Sequence, residues 1–474
     1  MENKTNGATF KLAEGLAKLH YADLPQEVIE KAKLLLLDYI GYTLYAYKEE
    51  AAEIITNIIL ELGGNPESTI IGYGFKSSCL LAALANGAMG HMAELDDTHA
   101  ATGTHPGDSI IAASLAVGER EEIDGKCFLE SMISGYEAEL RIGDAIAPSH
   151  FRRGFHPSAT INTFGAAVAA GKIFKFNASK ITEVLGLAGL QASGFYYYLL
   201  EGVRMPKDFN TGRAAFSGVL AALLIKGGFQ GGKTVLESEK GFCKLFSDPF
   251  SAKMDRITDR VGEVYKIMEV AHKMYSSCRH VHSSIEAVLE VIKKNKIAIN
   301  EIEEVVARIL KSGAILVNDP EPWLPNRGVY GSRFSAQFNI AVAILDGEEG
   351  IYRLITDKNY VKDKISSNEI RNIMKKIKVI PDEELDKEYP YKWSTIVEVR
   401  KGNKVYSARV DFPKGEPQNP VSEKEVINKF KSLTNNILEK EQDIEKIINL
   451  ILNVEKVKNI KEIFTECTKM VTVL

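Results

Sequence analysis

From Pro25 to about Ile225 the chain repeats one kind of segment, helix-length and rich in Ala and Leu, with apolar positions wrapping most of the helical circumference. Pro25–Tyr47 sets Val28, Ala32, Leu35, Leu36 and Ile40 at helical spacing behind a proline suited to a helix start. Ser78–Met92, Ser109–Glu121, Gly125–Ala145, Ser158–Phe174 and Ala178–Leu190 read the same way, and Gly, Pro, Asn or Asp separates most of them. A helix that is apolar nearly all round has to be enclosed by other helices. The pattern therefore predicts a large all-helical domain over residues 1–260.

At 474 residues the chain exceeds what one hydrophobic core organises. Its texture changes near residue 260, where alternating stretches begin: Gly262–Met268, Ile302–Leu310, Lys376–Ile380 and Thr395–Val399. The last leads through Gly402-Asn403 into Lys404–Val410, a hairpin signal. Helices at His282–Lys293 and Phe334–Asp346 lie between these strands, so 261–414 reads as a smaller α/β lid domain. After a linker at Pro413–Pro420, amphipathic helices at Glu423–Lys431 and Asp443–Leu452 predict that 415–474 packs back onto the first domain.

The formal charge of −4 supplies no electrostatic reason to expect nucleic acid or an anionic membrane as a partner. Apolar runs such as Gly218–Ile225 fall well short of the roughly 18 residues of a membrane span. The opening MENKTNGATFKLAEGLAKLH lacks the pattern of a secretory signal. Five scattered cysteines without a C-x-x-C fit reduced thiols, so a cytoplasmic location is expected.

Gly227-Gly-Phe-Gln-Gly-Gly-Lys-Thr234 matches the phosphate-loop pattern, and Ala341–Asp346 could pass for its magnesium-binding strand. That loop works only between a strand and a helix, whereas Ala214–Ile225 before it has helical composition. Glycines placed after a helix are the ordinary material of a C-cap and turn.

Seven of the nine histidines fall in three short stretches: His91 to Asp108, Arg152 to Ser158, and His272 to His282. Arg204-Met-Pro-Lys207-Asp208 adds a basic stretch without histidine. His105 and His156 each precede a proline that opens an apolar helix, which puts each imidazole at an N-cap facing the positive end of the helix dipole. A histidine so placed tends to be neutral and is fit to act as a base or a hydrogen-bond donor. Simple helix capping is the alternative for either one alone.

The strings HMAELDDTH…THPGDS, GYEAELRIG, GFHPSATINTFGAAVAAGKIF, GRAAFSGVLAALLIKGGFQGGKTVLE, KMYSSCRHVHSSIEAV and RFSAQFNIAVAILDG resemble, in order, successive blocks of the MmgE/PrpD family over residues 10–415. That family includes 2-methylcitrate dehydratase, cis-aconitate decarboxylase and iminodisuccinate epimerase. The resemblance implies a helical domain with an α/β lid, a homodimer, an active site in the cleft between domains, and neither metal nor organic cofactor. Residue by residue it points to Asp96, His105, His156, Lys207 and Lys273. Where decarboxylase-like members carry histidine this chain has Cys278, and Tyr275…Cys278-Arg279…His282 resembles the epimerase branch. The family's acidic position two residues before Asp96 is Glu94 here.

These residue types suit proton removal beside a carboxylate on a small di- or tricarboxylic acid. The step builds an enediolate-like dianion, and cations in a dry site stabilise it. Lys207, Lys273 and Arg279 are expected to clamp substrate carboxylates, with His280, Tyr330 and Arg333 as further substrate contacts. His105 or His156 is the expected base, and Asp96 is expected to orient His105 or a hydroxyl. Cys278, between Ser277 and Arg279, is either an acid/base or a small buried apolar residue. Dehydration is placed first among the reactions, then epimerisation, with decarboxylation as a further alternative. Two rivals stand against this reading. One is a metalloenzyme using Asp96, Asp97, His99 and His105, whose spacing matches no common ligand pattern. The other is a non-catalytic helical scaffold, which leaves the clustered charges between apolar helices unexplained.

Overall fold

The computed structural model describes residues 7–324, 327–438 and 440–468. The ends of the spans assigned above to the helical domain, residues 1–6 and 469–474, lie outside the described residues. The fold is mostly α, 61% helix and 8% strand, with a small sheet in the C-terminal part. Two compact units form: one of residues up to Tyr196, Met205–Val270 and from Ser422 onward, the other of Tyr197–Arg204 and Ala271–Val421.

The first unit holds helices α1 (Gln26–Ala46), α2 (Cys79–Met92), α3 (Pro106–Arg120), α4 (Gly125–Ile146), α5 (Asn162–Ile173), α6 (Ala178–Gln191) and α7 (Met205–Lys226). Every residue of α5 is buried, as is every residue of α3 from Pro106 to Glu119. This is the enclosure that their all-round apolar character demands. Small residues let the backbones approach closely. A Cβ added to Gly212 of α7 would stand 2.3 Å from the Leu84 carbonyl oxygen of α2, and one on Gly87 would stand 3.0 Å from Gly212 Cα. The helix Glu423–Thr434 buries Val426, Phe430 and Leu433, and Phe430 packs over Gly41 of α1.

The second unit carries a four-stranded sheet, β1 (Glu304–Leu310), β2 (Ile377–Asp382), β3 (Thr395–Lys401) and β4 (Lys404–Val410), in the order β2-β1-β3-β4. β1 and β2 are parallel and the other pairs antiparallel. Val305, Ala307, Ile309, Val397 and Val399 share a core with Val281, Ile285 and Val288 of α8 (Arg279–Asn295) and Phe338 and Ile340 of α9 (Ala336–Thr356). Gly402 at φ 56° supplies the turn between β3 and β4, where Lys401 pairs with Lys404.

Three expectations need correction. Gly262–Met268 forms no strand: Gly262 has φ 86°, and Lys266–Glu269 closes a 3₁₀ turn whose Ile267 N–H donates to Glu137 of α4. The helix expected over Ser158–Phe174 is two pieces, Pro157–Thr160 and α5. The helix expected to end at Asp346 continues to Thr356, past a break at Gly347 with φ 63°. As for the phosphate-loop string, Gly227–Thr234 follows α7 and meets no helix until Phe242–Phe246, while Ala341–Asp346 is helical. Within it Gly231 serves packing, since a Cβ there would fall 2.0 Å from the Glu183 carbonyl oxygen of α6. Among the described residues no helix is long and apolar enough to cross a membrane.

The α2–α7 contact yields a stability prediction. Gly212→Ala should cost about 1–3 kcal/mol by overpacking against backbone that cannot yield, whereas Gly232→Ala, whose Cβ meets nothing within 4 Å, should be neutral. Thermal unfolding of both variants checks this, and equal midpoints would contradict the packing argument.

Candidate active site

The polar centre of the first unit is built where α2 ends and α3 and α7 begin. His91 stands in the last turn of α2. Beyond Ala93 the chain turns through Glu94, a non-glycine residue at φ 53°, and then presents Asp96, Asp97 and Thr98. A side chain at positive φ is uncommon and is held only by surroundings that fix it. Here Glu94 is buried and forms an ion pair with Lys207 of α7.

His105 and His156 do occupy N-caps, each followed by proline, yet neither side chain makes the capping hydrogen bond. The His105 ring points elsewhere: its Nδ1 lies 2.6 Å from Asp96 Oδ2 and 2.9 Å from the Asp97 carbonyl oxygen. The Ser158 hydroxyl accepts from the His105 backbone N–H at 2.9 Å, and Asn162 Nδ2 donates to the His105 carbonyl oxygen at 2.8 Å. His156 Nδ1 accepts from Asn210 Nδ2 at 3.2 Å. The His91 ring centre is 4.8 Å from that of His105 and 5.9 Å from that of His156, so three imidazoles crowd one ammonium.

Burial decides the charge states. Desolvation, with the Lys207 charge next, lowers His91 to about 3, outweighing the attraction of Asp96. Burial, then the neighbouring His91 and Lys207, puts His156 well below the ordinary imidazole value. Asp97 is pushed up to about 7 by burial, opposed by hydrogen bonds from Tyr136 and the Gly107 N–H. Those bonds tie Asp97 to α4 through Tyr136, 2.6 Å to Oδ2, and to the first turn of α3 through Gly107, 2.9 Å to Oδ1. From the far end of the sequence Lys429 reaches in: its Nζ donates to the Leu95 carbonyl oxygen at 2.7 Å and pairs with Asp38 at 2.7 Å.

Asp96, His105, His156 and Lys207 are thus brought together in one unit, joined by His91, Glu94, Asp108 and Asn210, which were not among the assigned site residues. A clue to Asp108 was legible, because an acid in the first turn of an otherwise apolar helix is costly to bury without a partner. The remaining assigned residues lie in the second unit. Cys278 is the buried N-cap of α8, its N–H donating to the Arg333 carbonyl oxygen at 2.8 Å, and Lys273 is buried. The Arg333 guanidinium sits 5.6 Å over the Tyr330 ring. Arg279, expected to clamp substrate, is 2% exposed, with Nε 3.0 Å from Glu416 Oε1 and Nη1 2.9 Å from His282 Nδ1. His280 stacks on Trp393 at 4.1 Å and 9°, with Gly313 closing over its Nδ1. Both make these contacts within the second unit.

The metal reading also changes. Asp97 is held by Tyr136 and Gly107, and His99 by Thr102 and Glu269. Among the described residues, the set whose donor atoms converge, all within 4.8 Å of one another, is His91, Asp96 and His105.

A titration tests the charge assignment. Resolved ¹⁵N resonances of His91 and His156 should stay those of neutral imidazoles across about pH 5 to 8, and a midpoint near the ordinary value of about 6.5 in either ring would overturn it.

Comparison with known proteins adds an independent line. Residues 11–255 match the MmgE/PrpD N-terminal domain, and residues 275–454 match the MmgE/PrpD C-terminal domain. Relatives include the cis-aconitate decarboxylase of Aspergillus terreus, 25% identical over 97% of this chain and 95% of that protein. The cis-aconitate decarboxylase-like protein oryM of Aspergillus oryzae is 25% identical over 96% of each chain. The human cis-aconitate decarboxylase is 24% identical over 98% of this chain and 94% of its own length. With both domain models matched in order across most of its length, the chain belongs to the MmgE/PrpD family.

Proposed function

We propose that this protein is a cofactor-free lyase that moves a proton at a carbon next to a carboxylate of a small di- or tricarboxylic acid. The observation that carries the reading is the buried array of one ammonium, Lys207, among three imidazoles, two of which, His91 and His156, are held neutral. The arrangement divides the labour. His105 donates Nδ1–H to the Asp97 carbonyl oxygen at 2.9 Å, with the Asp96 carboxylate 2.6 Å away, which leaves the Nε2 lone pair as the base. His156 accepts at Nδ1 from Asn210, which leaves Nε2–H as the donor. Lys207 stabilises the charge that develops on the substrate carboxylate during the step. Lys273 and Cys278 enter the proposal through the family resemblance.

Among the finer outcomes, decarboxylation of a cis-aconitate-like substrate moves ahead of the dehydration placed first on sequence grounds, because the relatives carry that name. Loss of CO₂ leaves an electron pair on carbon, which the ammonium stabilises and an imidazole N–H protonates. Epimerisation stays as the second reading, supported by Cys278 where decarboxylase-like members carry histidine. A cytoplasmic homodimer completes the proposal. One face of α7 supports self-association, with Phe216, Leu220 and Leu223 half-buried between the exposed Phe209 and Leu224, and Phe229 exposed just beyond.

Incubation in D₂O with cis-aconitate, citrate, 2-methylcitrate and an aspartate-derived iminodiacid, followed by ¹H NMR, tests the reading. Loss of CO₂ from cis-aconitate, vinylic signals from the saturated acids, or deuterium uptake with inversion distinguishes the three outcomes. His156→Ala and Lys207→Ala should each abolish turnover, and chelator-treated protein should keep it. No reaction and no exchange with any acid would sink the proposal. For the dimer, Leu220→Glu should convert the sedimenting species to monomer, and an unchanged or already monomeric species refutes the α7 interface.

A further inference from the structure

His91 is the group that touches most of the site without a role in the proposed reaction. It is fully buried, and its two ring nitrogens face opposite kinds of partner. Nε2 lies 2.6 Å from Lys207 Nζ. An ammonium has only hydrogens to offer, so Nε2 is the acceptor and the ring proton resides on Nδ1. That proton faces two carboxylates, Asp96 Oδ2 at 2.9 Å and Asp108 Oδ2 at 2.8 Å. Asp108 can reach the ring only because the residue before His91 is glycine: a Cβ on Gly90 would stand 2.8 Å from Asp108 Oδ1 and 3.2 Å from the Tyr39 ring.

We infer that His91 is a positioning residue that, as the Nδ1–H tautomer, accepts a hydrogen bond from Lys207 and donates its own to Asp96, with the Asp108 carboxylate close beside it. It thereby ties the ammonium that would stabilise the reacting carboxylate to the carboxylate that orients His105. Asp108, on α3, stands behind the ring: its Oδ2, 2.8 Å from Nδ1, adds negative charge beside that proton from another helix. The inference deepens the proposed reaction and rests on it for its kinetic consequence alone, since the tautomer is a property of the resting protein.

Two substitutions separate the two ends of the ring. His91→Asn keeps a donor near the Nδ1 position and removes the acceptor for Lys207, whereas His91→Gln places an amide oxygen near the Nε2 position. Misplacing a charge by about 1 Å costs on the order of 100-fold in rate, so His91→Asn should lose about 10- to 100-fold in kcat, with KM changed by less than about threefold. His91→Gln should recover a substantial part of that loss. Equal kcat in both variants, whether wild-type or equally depressed, overturns the inference. The second measurement needs no substrate and no variant that must fold: ¹⁵N spectra of histidine-labelled wild-type protein should show His91 protonated on Nδ1 with a bare Nε2. A ring protonated on Nε2, or on both nitrogens, overturns the positioning role whatever the kinetics. If the tautomer is as expected and wild type acts on none of the acids, the reaction assignment has failed and the His91 assignment stands.

Discussion

An ammonium removed from water has to be matched in charge and in hydrogen bonds, and the first unit is organised around that demand. Lys207 emerges from α7 into a region closed to solvent, where an isolated charge is untenable. Glu94 supplies the opposite charge and His91 an acceptor. To bring Glu94 there, the chain leaving α2 adopts a left-handed turn. The other polar groups then follow from sequence adjacency, since Asp96, Asp97 and Thr98 come next on the same turn. Removing any one partner leaves another buried polar group unsatisfied, so the cluster stands or falls as a unit.

Such a cluster needs room in a tightly packed bundle, and small residues make it. Gly90, Gly107 and Gly212 stand where a methyl group would collide with Asp108, Asp97 or the α2 backbone. The Ala- and Gly-rich composition therefore does two things. It allows helices to be buried on all sides, and it brings their backbones close enough for side chains from α2, α3 and α7 to meet over hydrogen-bond distances.

Much of this was legible in the sequence. All-round apolar helices announced an enclosed helical unit, and β3 and β4 could be read nearly to the residue because alternation flanks a turn with one glycine at positive φ. Gly262–Met268 misled because alternation over so short a stretch carries no information about partners: its Glu263, Val264 and Met268 N–H groups bond within the local turns and its Ile267 N–H donates to Glu137 of α4. In the site, the His-Pro pairs marked His105 and His156 because a proline fixes a helix start locally. The contacts of Arg279 and His280 could not be read locally, because their partners, Glu416 and Trp393, lie far along the chain. His91 and Asp108 were overlooked for a related reason: each is an ordinary residue on an ordinary helix, and only the meeting of α2, α3 and α7 makes them neighbours.

Lys429 has a consequence for the order of assembly. It lies 334 residues beyond Leu95, whose carbonyl it grips, and it also pairs with Asp38 of α1. On the ribosome, every other component of the first unit's polar centre has emerged long before this lysine. The turn that carries Asp96 must therefore wait, without its last tether, through the synthesis of the whole intervening sheet unit. Closing so long a loop costs little more entropy than closing one half its length, so the arrangement sacrifices little final stability. What it sets is timing: the polar centre reaches its finished form only after Lys429 has been synthesised.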